Sequence, residues 1–315
     1  MDDISGIPGA ESWTTVEPVL KGWSSDRKFF VQDQAGRRLL LRLSAGNTYH
    51  RKQQEYEGIQ RFNGLDFPMS RAVDFGLCGL GEDGEQSVYM LLTWVDGVPL
   101  EECLPGLPPE EQYRLGAEAG RILKQMHMIP VEEELPHWEA DMQSKILSRI
   151  REYEDCPYHL EGDQQVIAFV RENIGLIHNV EKVYHHGDFH VGNLLYTPEG
   201  KIGVIDFNRW DIGDYAEEFY KLQIFDRERS IPFAAGKLEG YFGGPPPEAF
   251  WKRQALYVAY TSLYSIKWSI PYGAADIQDM MDRCRLALKD YDGFRRSIPW
   301  WYPGTGSNIL SKRLK

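Results

Sequence analysis

The sequence contains no apolar run approaching the roughly 18 to 20 residues that a membrane-spanning helix requires, so no membrane partner is expected. Cysteine is scarce and scattered: Cys78, Cys103, Cys156 and Cys284 form no Cys-x-x-Cys pair, which argues against a zinc or redox motif. The opening residues, Met1 to Trp13, lack both the basic and the apolar region of an export signal. Reduced thiols and a cytoplasmic setting are therefore the expectation. No internal repeat and no low-complexity linker interrupts the chain. Positive charge is in deficit, with 35 basic against 47 acidic residues and a formal net charge of −12. Nucleic-acid binding rests on neutralising phosphates with Lys and Arg, so no nucleic-acid partner is expected. A field of that sign favours a cationic small molecule, although acidity also serves solubility.

What is present falls into two patterns. The first third reads as strands with one helix. Arg37 to Leu43 is a short apolar run behind the turn-forming Asp33-Gln34-Ala35-Gly36, which predicts a hairpin. A polar segment from about Thr48 to Phe62 predicts a helix, and Ser87 to Val95 predicts a strand stopped by Asp96-Gly97. Beyond Gly97 the period becomes helical. Pro108-Pro109-Glu110-Glu111 opens a helix that runs to about His127, with Leu115, Ala119, Ile122, Leu123 and Met126 on one face. Further helices are predicted over 140–155, 163–178 and after about 245. The expected architecture is α+β and bilobal: a small β-rich lobe over 1–96 and a larger, mainly helical lobe over 97–315.

The stretch that carries chemistry is His186-Gly187-Asp188-Phe189-His190-Val191-Gly192-Asn193, followed by Val204-Ile205-Asp206-Phe207-Asn208. Each part follows a short apolar run, Val183 to His185 and Ile202 to Ile205. Phosphoryl transfer needs one carboxylate beside the attacking hydroxyl, a second on the metal that bridges the phosphates, and an amide oxygen to complete the metal shell. Hard oxygen ligands of that kind suit Mg²⁺. Asp188, Asp206 and Asn193 supply the three groups. An Asp after an apolar strand is often only a turn residue, but the joint pattern is hard to reach by chance.

The His-Gly-Asp-x-x-x-x-Asn run and the later Ile-Asp-Phe resemble the catalytic and metal-binding loops of the aminoglycoside phosphotransferase family, small-molecule relatives of protein kinases. The similarity covers about 15 to 290 and implies the bilobal protein-kinase-like fold. It implies Asp188 as catalytic base and Asn193 and Asp206 as Mg²⁺ ligands, with His186 bracing the loop backbone. Gly213-Asp214 to Glu218 is similar to the family's Gly-Asp-Pro…Asp ending, with Tyr215 and Glu218 as departures. On the nucleotide side, the resemblance places Arg42 where a strand Lys grips the phosphates, with Glu55 as its helix partner. Thr93 and Val95 become backbone contacts for the base of ATP or GTP. Ser24 and Ser25, in Lys21 to Arg27, become donors to phosphate. A surface turn, an edge-strand arginine and a plain core strand are the structural alternatives for these three.

The acceptor implied is a small-molecule alcohol, most readily an amine-bearing sugar or alcohol. Glu152, Glu154, Asp155, Glu161, Asp163, Tyr158, Trp268, Trp300 and Trp301 are candidate lining, although each taken singly reads as solvated face or core. Competing readings are a metabolite kinase of choline, homoserine or thiosugar type, and a catalytically weak kinase-like module that binds nucleotide or a partner. A glycosidase with paired carboxylates leaves the Asn193 spacing without a role.

Overall fold

The computed structural model describes residues 4, 6–20, 26–80 and 86–302. In chain order the strands and helices are β1 (Trp13–Pro18), β2 (Arg27–Asp33), β3 (Arg38–Ser44), α1 (Tyr49–Phe62), β4 (Ala72–Leu80), β5 (Gln86–Thr93) and the two-residue β6 (Val98–Pro99). Next come α2 (Leu100–Cys103), α3 (Pro109–His127), α4 (Trp138–Glu154), α5 (Asp163–Asn173), β7 (Lys182–His185), β8 (Leu194–Tyr196), β9 (Ile202–Val204) and β10 (Asp211–Asp214). The chain ends its described part with α6 (Arg227–Arg229), α7 (Ile231–Phe242), α8 (Glu248–Ser269) and α9 (Ala274–Asp290). It divides into two compact units: Met1–Val98 with Asn193–Trp210, and Pro99–Gly192 with Asp211–Lys315. A single division near residue 96 is what the change of sequence period suggests; instead Asn193–Trp210 returns to the first unit. Its backbone is tied there, with Ser70 N–H donating to Val204 O at 3.1 Å and Val204 N–H to Pro68 O at 2.9 Å.

In the first unit, β1 to β5 make a five-stranded antiparallel sheet in the order β1-β2-β3-β5-β4. The β2–β3 turn forms because the Asp33 carboxylate accepts from the N–H groups of Ala35 and Arg37, both at 2.9 Å, as turn-forming Asp does. β3 is an interior strand between β2 and β5, with Arg42 opposite Lys28 on one side and Met90 on the other. Arg42 is therefore no edge residue. One sheet face buries Val31, Leu41, Leu43, Tyr89 and Leu91 with Ile7 and Cys78. Helix α1 buries Lys52, Glu55, Gly58, Ile59 and Phe62. Gly58 is required: a Cβ there would collide with the Trp210 indole, whose N–H donates to Gln54 O at 2.9 Å. That contact and the Phe62–Phe207 ring pair, 5.6 Å apart, carry residues 205–210 on α1.

In the second unit, α3 and α7 pack so closely that backbone meets backbone. A Cβ on Gly116 or Gly120 of α3 would strike α7 carbonyls at Phe233 and Lys237, and one on Gly236 or Gly240 would strike α3 carbonyls at Tyr113 and Ala117. Glycine is tolerated inside both helices because no larger residue permits this approach. α3 spans Pro109–His127 and buries Leu115, Ala119, Ile122, Leu123 and Met126, the face its sequence period predicts. α8, with Phe250, Trp251, Tyr257 and Tyr260 buried, forms the centre against α4, α5 and α9. β7 pairs antiparallel with β10, His185 opposite Asp211. This ribbon delivers the 186–192 loop. No helix among the described residues is long and apolar enough to cross a membrane.

Candidate active site

The loop after β7 carries Asp188, and the second unit holds it from several directions. His186 is fully buried, and its Nδ1 accepts the Asp188 N–H at 3.1 Å. Gly187 has φ 79, a left-handed turn that frees its N–H to donate to both oxygens of Glu218, at 3.0 and 3.2 Å. Glu218 lies at the position where the family ending departs from Asp; the longer side chain still reaches the loop. Behind it stands His127, with Nε2 3.8 Å from Glu218 Oε2 and Nδ1 2.9 Å from the Tyr241 hydroxyl. Burial pushes the His127 imidazole down to about 4, so it is neutral near pH 7 despite the facing carboxylate. Further along the loop, Lys237 Nζ donates to Phe189 O at 2.7 Å and to Asp226 at 2.8 Å, while Asp226 accepts the Val191 N–H at 2.9 Å. The Asp188 carboxylate itself is partly exposed, at 15%.

Asn193 and Asp206 belong to the first unit and come together across β8 and β9, where the Ile205 N–H donates to Asn193 O at 3.1 Å. Asp206 takes φ 65, a left-handed conformation uncommon outside glycine and typical of functional turns. Phe207, buried beside it, fixes the turn on α1. The Asn208 side-chain oxygen is buried, and no hydrogen-bond partner meets it among the described residues. A carboxylate and amide oxygens are the donor set that Mg²⁺ accepts when phosphates and water fill the rest of its shell, so these residues fit that ion. Among the described residues no group of three or more His, Cys, Asp or Glu forms a protein-only metal cage.

Arg42 is buried in a four-member ion network. Its Nε and Nη2 donate to Asp26 Oδ2 at 3.1 and 2.5 Å, and Nη1 to Glu55 Oε1 at 2.5 Å. Lys52 Nζ bonds the same two carboxylates, Asp26 at 2.6 Å and Glu55 at 2.9 Å. Arg42 and Glu55, paired by the resemblance, are thus in contact, and Glu57 instead accepts from Gln53 at 3.0 Å on an exposed face. Burial alone would push the Asp26 carboxyl up, but Arg42, Lys52 and Ser44 hold it down at about 2. The Arg42 guanidinium also feels the Asp206 carboxylate, which puts the network on the side of the unit that bears the candidate metal ligands. Lys52 and Asp26 are residues that the motif does not nominate. The i, i+3 spacing of Lys52 and Glu55 on one helix is the signal that finds the first; nothing local finds Asp26.

Of the other nucleotide candidates, Ser24 and Ser25 lie outside the described residues. Thr93 differs from expectation: its N–H donates to Arg71 O at 2.9 Å and its hydroxyl to Met69 O at 3.0 Å. The end of the sheet thus uses the Thr93 N–H, one of the two backbone groups assigned to a base. Val95 lies two residues past β5, half-buried. On the acceptor side, Asp163 is buried and accepts from the Tyr153 hydroxyl at 3.0 Å, and Trp301 is buried with its N–H on Gln223 at 2.8 Å. Both belong to the core. Glu152 and Glu154 pair with Arg149 and Arg171, whereas Trp268, Trp300 and Tyr158 remain exposed. A 440 Å³ cavity in the second unit runs between the end of α3 and Tyr215, Tyr241 and Phe242, with His127 on its wall; none of the acceptor candidates lines it.

Residues 15–251 match the phosphotransferase enzyme family, well over half of the chain. The chain belongs to that family. Its fold is the kinase-like fold of solved aminoglycoside phosphotransferases. A thermostable mutant of aminoglycoside phosphotransferase APH(4)-Ia, in ternary complex with ADP and hygromycin B, superimposes with a TM-score of 0.66 at 17% identity, over 88% of this chain and 94% of that one. The GDP complex of wild-type aminoglycoside 2'-phosphotransferase-IIIa gives 0.64 at 14% identity, over 89% and 94%. ADP-bound APH(2'')-Ib gives 0.61 at 17%, over 88% and 94%. No curated protein matches the sequence.

Proposed function

We propose that this phosphotransferase moves the γ-phosphoryl of ATP or GTP onto a hydroxyl of a small molecule, with Asp188 as the general base. The observation that carries the reading is the bracing of the 186–192 loop: His186, Glu218, Asp226 and Lys237 all bond its backbone, yet the Asp188 carboxylate stays partly open. A merely structural aspartate has no need of such a frame. In the transfer, the acceptor oxygen attacks the γ-phosphorus, the bond to the β,γ-bridging oxygen breaks, and the nucleoside diphosphate leaves with that electron pair. The hydroxyl proton passes to Asp188 and from there to water. Asn193 and Asp206 are the residues that would hold Mg²⁺, which when bound neutralises phosphate charge. In this reading Arg42, with Lys52 beside it, faces the phosphates, and Val95 offers backbone groups to the base.

The nucleotides held by the similar structures, ADP and GDP, support nucleotide use. Hygromycin B in one of them and the net charge of −12 support an amine-bearing sugar or alcohol as acceptor. The test is a panel of aminoglycosides, choline, homoserine and thiosugars offered with ATP and GTP. Asp188→Asn keeps the shape and loses the base, so turnover should fall by about 10²-fold or more with nucleotide affinity within a few-fold. Unaltered turnover would show that Asp188 is not the base.

One observation favours a second reading, a module that binds nucleotide without turning it over: the Arg42 guanidinium is already committed to Asp26 and Glu55. Nucleotide binding with no transfer to any acceptor or to water, in the unaltered protein, would select that reading.

A further inference from the structure

We propose that Lys221 is a positioning residue for the transfer, an ammonium that fixes the Asp188 carboxylate in its working orientation; this rests on the reading of Asp188 as the base. Lys221 is only 2% exposed, and its Nζ bonds Asp188 Oδ1. No motif nominates it, because it lies 33 residues from its partner in the segment between the short helical turn Glu217–Phe219 and α6.

The local backbone explains how it gets there. Leu222–Asp226 is a π-helical turn, a rare geometry that re-aims side chains and recurs at functional sites. The residue before it and its last two residues all serve the same loop. Lys221 takes Asp188, Phe225 stacks on the His190 ring at 4.4 Å, and Asp226 at its end takes the Val191 N–H at 2.9 Å. An ordinary α-turn would rotate one of these contacts away from the loop.

His190 points to the same carboxylate oxygen. Its Nδ1 accepts the Gly192 N–H at 3.2 Å, which places the ring proton on Nε2, 3.5 Å from Asp188 Oδ1. Ammonium and imidazole thus gather on Oδ1 and set the rotation of the carboxyl group about its Cβ–Cγ bond. A buried ammonium carries a desolvation cost that this contact offsets. Lys221 is too deeply buried to be a surface ion pair, whose worth would be small. Its ammonium also lies over the Tyr220 ring at 5.3 Å from the centroid, a second contact that restricts its position.

Lys221→Met, Lys221→Arg and Asp188→Asn in the full chain test the proposal. Turnover is read as phosphate release from ATP and GTP, with water as acceptor, and as transfer to hygromycin B. Lys221→Met should lower kcat by roughly 10- to 100-fold, leave the nucleotide KM within about threefold, and melt within a few degrees of the unaltered protein. Lys221→Arg should recover most of the lost kcat, because it restores a cation at that oxygen. If Lys221→Met turns over like the unaltered protein while Asp188→Asn is dead, Lys221 has no positioning role. A kcat loss that Lys221→Arg does not recover, with a large fall in melting temperature, assigns Lys221 to packing alone and also overturns the proposal. An active Asp188→Asn is a different result, since it removes the base reading on which the proposal stands.

Discussion

Lys237→Met should be among the costliest single substitutions in this chain. The Lys237 side chain is fully buried, and so is the Asp226 carboxylate it pairs with at 2.8 Å. Its second acceptor is the Phe189 carbonyl at 2.7 Å, and the ammonium lies 4.7 Å from the Phe189 ring centroid. Methionine fills nearly the same space, so no large cavity adds to the cost. What it removes is the counter-charge, leaving Asp226 buried with the Val191 N–H. Breaking a buried pair in this way costs about 3–5 kcal/mol, and the abandoned Phe189 carbonyl adds about 1 kcal/mol. Against a total stability of about 5–15 kcal/mol, a loss near 5 kcal/mol is large, and at roughly 2–4 °C per kcal/mol it lowers the melting temperature by about 10–20 °C. Urea denaturation followed by tryptophan fluorescence measures it, with Asp226→Asn and the double variant completing a cycle. The double variant should be more stable than Lys237→Met alone, since the stranded charge is gone. If each single variant costs under about 1 kcal/mol and the two add, the pair is not the clamp described here.

Two further outcomes follow from the packing and the charges. Asp26 has its pKa lowered from 3.8 to about 2 in the folded protein, so its contribution to stability is complete above about pH 4 and is lost as the pH falls towards 2. Arg42 stays charged through that window; Asp26→Asn should therefore flatten the acid limb of a stability–pH profile there, and an unchanged limb would count against the network. Gly236→Ala forces a methyl group onto the Tyr113 carbonyl of α3, which should cost about 2 kcal/mol or more through overpacking, whereas alanine in an open helix would stabilise. Thermal melting decides the sign.

Local signals carried much of the fold. α3 begins at Pro109 and ends at His127 as its prolines and its apolar face predict, and β3 follows a turn chelated by Asp33. Helix α7 is the instructive opposite. Pro232, Gly236 and Gly240 read as breakers, yet Pro232 stands in the first turn behind the Ser230 cap, whose oxygen accepts the Phe233 N–H at 3.0 Å. The two glycines are there because another helix lies against them. A single sequence shows that a glycine is present, not what approaches it.

The site divides along the same line. Asp188, Asn193 and Asp206 stand close together in the chain, and their spacing alone suggests phosphoryl transfer. Arg42 and Glu55 needed the resemblance to pair them, and contact at 2.5 Å followed. Lys221, Asp226 and Lys237 had no such help, because each reaches the loop from a distant segment through one side chain, and a π-helical turn leaves no period to read. Thr93 shows the converse: a backbone group looks available in a sequence until the sheet's own hydrogen bonds are counted, and here Arg71 takes its N–H. Residues that act through the geometry of others are invisible to motifs for the same physical reason that they matter: their effect depends on where the fold puts them, not on what stands beside them in the chain.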